Sequence, residues 1–260
     1  MVKERILLWL IAIVAIAGIM QIPPVSQDLT YHSFADQNAF FLGISNTWNV
    51  LSNLPFVLVG MYSLYVARKY KDDLFCSGIY KQFIVFSIGV FLVGFGSAYY
   101  HYEPNNLTLI WDRLPMTIAF MSLYSTIISA FIGKKSGNNL FPWLLVCGFI
   151  SVIYWAITES LGAGDLRMYA LVQFLPMILM AVILYMFKSV SLNKGMLLMT
   201  MFWYGVAKAF EIFDDFVYQA LGESMSGHSL KHVAAAIACI YIIKWCTNEK
   251  LLSHLRYKIS

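Results

Sequence analysis

Apolar residues dominate the chain in long runs that short polar segments separate. Eight runs are each roughly 17 to 25 residues long, the length at which a helix crosses a hydrocarbon core about 30 Å thick. They occupy approximately residues 6 to 22, 48 to 67, 82 to 101, 108 to 133, 141 to 159, 167 to 187, 196 to 218 and 228 to 246. Strands of a membrane barrel need only about ten alternating residues, so the runs are too long to be strands. The pattern predicts an all-α polytopic membrane protein with eight transmembrane helices.

The composition supports this interpretation and excludes a soluble globular domain. Of the 260 residues, 60% are apolar and only 12% are charged, and the mean hydropathy is +0.68. These values are typical of a polytopic membrane protein. Four cysteines occur without a C-x-x-C pair, so the sequence supports neither a disulfide framework nor a cysteine zinc site.

The first apolar run follows the charged segment MVKER and has two interpretations. It is either a cleaved signal peptide or an uncleaved transmembrane helix. The small-x-small pattern from Ala15 to Ala17 lies inside the run, which favours an uncleaved signal anchor. We therefore expect residues 1–30 to hold an extra N-terminal transmembrane helix and a link. Residues 31–247 would form a core of seven transmembrane helices, and residues 248–260 a cytoplasmic tail.

Basic residues are distributed unevenly along the predicted loops. Lysines and arginines cluster at both termini and in alternate loops, whereas the opposite loops hold only Arg167 at a helix edge. Because cytoplasmic loops carry the excess of Lys and Arg, we expect both termini to be cytoplasmic. The net charge of +4 then reflects topology. The chain has no basic patch interleaved with aromatic residues, so no nucleic-acid partner is expected.

Five polar residues are predicted to lie at one depth, near the ends of three helices. Ser97 and His101 are four residues apart at the outward end of their run, so they share one helical face. Asp112 follows about one turn inside the next run, which re-enters from the outside. His228 and His232 are four apart at the start of the last run, which also enters from outside. A single histidine at a helix end is more often a packing residue, but this convergence favours a functional site on the extracytoplasmic side.

The three histidines have the composition and spacing of a metal site. A pair such as His228 and His232, at i and i+4, lets two imidazoles reach one ion. A third imidazole from His101 leaves the fourth tetrahedral position open to water, as in catalytic zinc sites. One zinc ion there would lower the pKa of water toward about 7 and polarise a carbonyl. Asp112 is then the candidate proton acceptor, and Ser97 the candidate hydrogen-bond donor to a developing oxyanion.

These motifs resemble the signature of a membrane hydrolase superfamily. The S-x-x-x-H motif, the aspartate eleven residues later and the final H-x-x-x-H pair are similar to those of the superfamily that includes alkaline ceramidases, progestin and adipoQ receptors and Per1-type proteins. The stretch NTWNVLSNLPFVLVG, from Asn46 to Gly60, resembles the W-N-x-x-S-N-L-P-F stretch of the alkaline ceramidase family. The resemblance covers about residues 36–246. It implies zinc-dependent hydrolysis of the amide bond of ceramide-like lipids, which releases a fatty acid and a sphingoid base.

The sequence departs from the family in the segment before the core helices. Members carry a carboxylate-rich calcium site of the type D-W-x-E-x-N, followed by a further glutamate. This chain reads HSFADQNAFFLGISNTWN, which leaves Asp36 and Asn38 as remnants and places Asn46 where the glutamate is expected. Calcium binding is therefore doubtful. The extra helix at residues 6 to 22 also lies outside the seven-helix pattern.

In an enzyme of this kind, the membrane lipid substrate would enter laterally from the outer leaflet. Two other functions are alternatives to such an enzyme. A receptor of the progestin and adipoQ type would hold mainly structural zinc, but the loops of this chain are short. An ion-coupled transporter could use Lys208, Glu211 and Asp215, but the hydropathy shows no broken helix or paired repeat. These three residues are more simply explained as one structural stripe of compensating charge. Arg113 and Lys231 are expected to snorkel toward the membrane surface.

Overall fold

A computed structural model describes residues 2–187 and 193–257, and within them the chain is helical and has no strand. A short 3₁₀ turn at Leu29–His32 accompanies the α-helices, which are α1 Val2–Gln21, α2 Thr47–Leu51, α3 Leu54–Lys69, α4 Lys71–Ser77, α5 Tyr80–Tyr102, α6 Asn106–Phe131, α7 Lys134–Ser160, α8 Arg167–Met186, α9 Lys194–Ile212, α10 Asp214–Ala220, α11 Gly227–Cys246 and α12 Glu249–Tyr257. Seven helical segments are long and apolar enough to cross a membrane, and α9 together with α10 makes an eighth. The predicted all-α, multi-pass membrane fold is therefore confirmed.

The predicted span 196 to 218 is not continuous. α9 and α10 meet at an angle of 82°. α9 has 19 residues and is about 28 Å long, and it meets the length and hydropathy of a membrane span only together with α10. α10 is held aside by the Asp214 carboxylate, which accepts hydrogen bonds from the backbone N–H groups of Ala35 and His228. The expectation of an unbroken helix is wrong here. The link at residues 188–192, before α9, lies outside the described residues.

Close contact between α5 and α6 depends on a small residue. α5 packs against α3 and α6, and α11 packs against α9 and α3. A Cβ added to Gly96 would lie only 2.0 Å from the backbone oxygen of Trp111. Helices in membranes approach closely where such small residues meet a neighbouring backbone. The residues that directly follow this contact, Ser97 and Asp112, are thereby brought to one interface.

α1 lies at the periphery of the bundle, and a link then leads from it to α2. α1 packs mainly on α8, and most of its surface is exposed. The link crosses the histidine end of the bundle, where α5 ends and α6 and α11 begin. The backbone N–H of Leu166 donates to the Val25 oxygen at 2.8 Å, and that of Gln27 donates to the Glu159 carboxylate at 3.0 Å. The link therefore covers the end at which the predicted polar layer lies.

Candidate active site

Three histidines from two helices converge inside the histidine end. His101 is in the last turn of α5, and His228 and His232 are one turn apart at the start of α11. All three side chains are buried. The Nε2 atom of His101 lies 3.2 Å from that of His232 and 3.4 Å from that of His228. The structure therefore brings the three predicted ligands together as one cluster.

The separations in this cluster fit a tetrahedral metal ion. Imidazole nitrogens bound at about 2.0–2.1 Å to one zinc ion lie about 3.3–3.4 Å apart when the angles are tetrahedral. The three candidate ligand atoms all lie within 4.8 Å of one another. Three converging ring nitrogens cannot all pair with each other, whereas one cation can accept a lone pair from each. Among the described residues, this is the one group of three or more histidine, cysteine or acidic side chains with such geometry.

Ser52 fixes the orientation of the His232 ring. Its hydroxyl donates to the backbone oxygen of Asn49 at 3.2 Å and lies 2.7 Å from His232 Nδ1. A hydroxyl has one hydrogen to donate, so here its oxygen accepts a hydrogen bond from the Nδ1–H of His232. This tautomer, assigned from the hydrogen bonds, leaves the Nε2 lone pair directed toward the other two histidines. Partners of this kind orient ligand histidines and increase metal affinity.

The segment around α2 supports the site through other polar side chains. Asn46 donates from Nδ2 to the backbone oxygen of His101 at 2.8 Å. Asn49 accepts a hydrogen bond from Ser229 Oγ at 2.8 Å, and its amide donates to the backbone oxygen of Asp36 at 2.9 Å. From the sequence, this stretch indicated a family but no supporting role. A signal was nevertheless present, since these polar residues interrupt or border an apolar run.

Two further residues hold the histidines from outside the bundle. The ring of Phe34, in the link, lies 4.7 Å from the His101 ring and 4.6 Å from the His228 ring, measured between centroids. The Asp214 carboxylate accepts the backbone N–H of His228 at 2.6 Å, where a negative charge favours the start of a helix. Neither role was predicted. Phe34 lies in a segment without periodicity, and Asp214 is 14 positions from His228 and 179 positions from Ala35, separations that no helical spacing rule connects.

Ser97 and Asp112 lie beside the histidines on neighbouring helices. Ser97 is one turn before His101 on α5, and Asp112 is in the second turn of α6. Both are buried, and both line one cavity together with His232. The Ser97 hydroxyl is close enough to the Asp112 carboxyl to interact with it. All five residues predicted from the sequence therefore lie at one end of the bundle.

A cavity of about 370 Å³ extends from these residues into the bundle. Along α11 it reaches from Lys231 to Ile242, a distance of about 16 Å. The end near the histidines is polar, whereas the far end is lined by side chains such as Phe86, Val90 and Leu123. This lining suits an amphipathic molecule whose polar group lies near the histidines and whose apolar chain lies within the bundle.

Three charged residues form an ion cluster in the polar end of the cavity. Glu211 on α9 lies 3.0 Å from Lys231 Nζ through Oε1 and is paired with Lys208 through Oε2. The expected third member, Asp215, lies beyond the bend and is exposed, so the predicted stripe is wrong at that position. Lys231 does not snorkel, because its charge is paired inside the cavity. The same expectation is wrong for Arg113, which is only 5% exposed.

The candidate calcium residues have separate partners. Asp36 is buried, with Oδ1 accepting the backbone N–H of Asn38 at 3.0 Å and Oδ2 without a hydrogen-bond partner. The Asn38 amide donates to the Tyr218 hydroxyl at 3.0 Å. The Asn46 amide is bound to the backbone of His101 instead. The expectation from the sequence, that calcium binding by these residues is doubtful, therefore stays a prediction.

Comparison with models of protein families connects this site to known proteins. The model described as Ceramidase matches residues 40–258. The matched range includes the three histidines, Ser97, Asp112 and Ser52, whereas α1 and Phe34 lie before it. No curated protein matches the chain.

Proposed function

The chain belongs to the ceramidase family, and from this premise we propose that it hydrolyses the amide bond of ceramide-like lipids with the help of one zinc ion. Family membership implies a hydrolase acting on lipid amides, which disfavours the receptor and transporter alternatives. The observation that carries the proposal is the convergence of three histidines at the polar end of a cavity whose far end is apolar. The products would be a fatty acid and a sphingoid base.

We assign the metal to His101, His228 and His232, which would leave one tetrahedral position open. Zinc is one of the divalent ions that neutral imidazole ligands bind well. When bound, the ion supplies Lewis-acid polarisation of the amide carbonyl and lowers the pKa of water in the site. The chain itself orients the rings, since Ser52 accepts a hydrogen bond from the Nδ1–H of His232 and Phe34 packs against the other two.

We assign the proton transfers to Asp112 and the oxyanion contact to Ser97. The Asp112 carboxylate takes a proton from the attacking water and delivers it to the leaving nitrogen. The Ser97 hydroxyl donates a hydrogen bond to the oxyanion that develops on the amide. The two side chains interact across packed helices and line the cavity that His232 also lines. A lipid amide at the polar end would therefore meet both groups.

The cavity would hold the lipid with its acyl chain inside the bundle and its head group at the histidine end. The apolar far end offers no partner to a polar head group, which would have to lose its hydration to enter. The basic loop residues predict that both termini are cytoplasmic and that the histidine end faces the extracytoplasmic side. The substrate would then enter laterally from the outer leaflet.

Metal content and lipid hydrolysis, measured on the same preparations, test this proposal. Purified protein is expected to contain about one zinc per chain, and His228→Ala to lose most of it. Asp112→Asn and Ser97→Ala should retain zinc but hydrolyse a ceramide panel about 10²- to 10⁴-fold and about 10²- to 10³-fold more slowly, as read by mass spectrometry. Ser63→Ala, a buried serine outside the cavity, is the matched control. Parental rates in both catalytic variants, or a folded protein without metal, would refute the proposal.

A further inference from the structure

Arg113 is a buried cation in a cage of aromatic rings. Its guanidinium carbon lies 4.1 Å from the Trp155 ring centroid and 4.5 Å from that of Tyr169. Tyr31, from the link, lies over it at 5.9 Å. Arginine stacks on aromatic faces because its guanidinium is planar and weakly hydrated. The rings hold the group in one orientation, but they supply neither a carboxylate nor a full set of hydrogen-bond acceptors.

The cage contains donors without acceptors. Arg113 Nη2 donates to Gln27 Oε1 at 2.6 Å, whereas Nη1 is buried and has no hydrogen-bond partner. The indole Nε1 of Trp155 is also buried without a partner. The ion pairs found among the described residues do not include Arg113. Because an unpaired buried charge is costly, Arg113, which lines the cavity, is suited to an acceptor that comes from outside the chain.

Arg113 faces the same cavity as the candidate catalytic residues. It follows Asp112 directly in α6, and both line the polar end. The cavity is lined by three cations, Arg113, Lys208 and Lys231, and by two carboxylates, Asp112 and Glu211, so the net charge is +1 when all five are charged. A divalent ion at the histidines would increase this excess. An anionic group would offset it.

We propose that Arg113 and its aromatic cage form a subsite for an oxyanion, a phosphate or a carboxylate, on the polar part of the lipid amide. This inference rests on the proposed function, because it puts the anion beside the amide that Asp112 would help to cleave. The lysines suit the anion less well, since both are already paired with Glu211. The guanidinium presents a fork of donors that matches an oxyanion geometrically. The preferred substrate class is therefore an acidic lipid amide rather than a neutral ceramide.

Binding of single-chain amphiphiles tests the subsite without hydrolysis. Titration calorimetry in a neutral detergent compares dodecyl phosphate, dodecanoate and dodecanol, which share one chain length. At least one anionic amphiphile should bind the unmodified protein about 10- to 100-fold more tightly than the alcohol. Arg113→Gln should remove that advantage, and Arg113→Lys should keep part of it because the charge remains without the fork. Arg68→Gln, at an exposed arginine of α3, should change nothing.

Two results of this titration would overturn the subsite. Equal affinity of the unmodified protein for all three amphiphiles would overturn the subsite. This measurement uses no variant, so it is valid even if Arg113→Gln fails to fold. The subsite would also be overturned if Arg113→Gln still bound the anionic amphiphile more tightly than dodecanol by the same factor, because the anion would then be held by the metal ion or by a lysine.

Hydrolysis of matched lipids identifies the substrate class. Ceramide, ceramide phosphate and an N-acyl amino acid of equal acyl length are compared by kcat/KM. One acidic lipid should be preferred by about 10- to 100-fold, and its identity distinguishes phosphate from carboxylate. Arg113→Gln should raise KM for that lipid about 10- to 100-fold more than it raises KM for ceramide. A preference for ceramide, with equal losses for all three in Arg113→Gln, would overturn the subsite and leave the proposed function intact. Failure to hydrolyse any of them, with anion selectivity retained in binding, would overturn the proposed function instead.

Discussion

Replacing Ser52 with alanine should weaken metal binding without removing a metal ligand. The Ser52 hydroxyl lies 2.7 Å from His232 Nδ1 and 3.2 Å from the backbone oxygen of Asn49. Without it, the buried Nδ1 proton of His232 loses its acceptor. The ring can move that proton to Nε2, but the lone pair that faces the other histidines is then lost. The variant must therefore either bury an unpaired N–H or give up a ligand atom.

The size of the effect follows from the cost of that choice. An unpaired buried donor costs about 1–3 kcal/mol, and each 1.4 kcal/mol changes an equilibrium constant about tenfold. Ser52→Ala should thus weaken zinc binding about 10- to 100-fold, which is the usual effect of removing the partner of a ligand histidine. All three ligands remain, so saturating zinc should still restore about one ion per chain.

Competition against a chromophoric chelator measures the zinc dissociation constant of Ser52→Ala. The matched control is Ser63→Ala, because Ser63 is also buried and its Oγ lies 2.6 Å from Ser87 Oγ, outside the cavity. An equal loss of affinity in both variants would indicate general destabilisation. Unchanged affinity in Ser52→Ala would show that this hydrogen bond does not orient His232.

Three further predictions concern packing, acid stability and topology. Gly96→Ala would place a Cβ 2.0 Å from the backbone of the neighbouring helix and should lower stability in thermal unfolding by about 1–3 kcal/mol, whereas Gly205→Ala, with no atom within 4 Å, should not. Hydrogen bonds from Arg167 lower the pKa of Asp165 to about 2, so this carboxylate stabilises the fold above about pH 4 and loses that contribution as the pH falls toward about 2. Asp165→Asn should flatten that part of the unfolding curve against pH. A cysteine at Asn105 should react with an impermeant reagent from the extracytoplasmic side, and labelling from the cytoplasmic side alone would reverse the proposed orientation.

Helical periodicity and membrane depth are sufficient to predict that the five candidate residues lie in one layer. The bilayer fixes the length of each span, so the position of a residue in its run sets its depth. Residues four apart share a helical face, which confines Ser97 with His101 and His228 with His232 to one layer. Periodicity does not say which faces meet. That depends on close contacts such as the one at Gly96, which become visible only when the helices are packed.

The supporting residues could not be predicted by the same rules. Ser52 and Asn49 lie near the break between α2 and α3, and their partners in α11 are 180 positions away. Pairings of short polar side chains over such separations leave no periodic pattern. The bend after α9 is hidden for a similar reason. Hydropathy is continuous across it, and the bend depends on Asp214 binding the backbone of two distant segments.

The link before α2 explains why Arg113 is retained in the cavity. An arginine two turns into a membrane helix is about 10 Å from the helix start, so its long side chain is expected to reach the surface. In this chain the link lies across that route, because Gln27 binds the guanidinium and Tyr31 covers it. Both residues lie before residue 40, where the family match begins. Chains that share the matched range but differ in the link should therefore differ in the wall beside Arg113, and with it in the charge of the lipids that they accept.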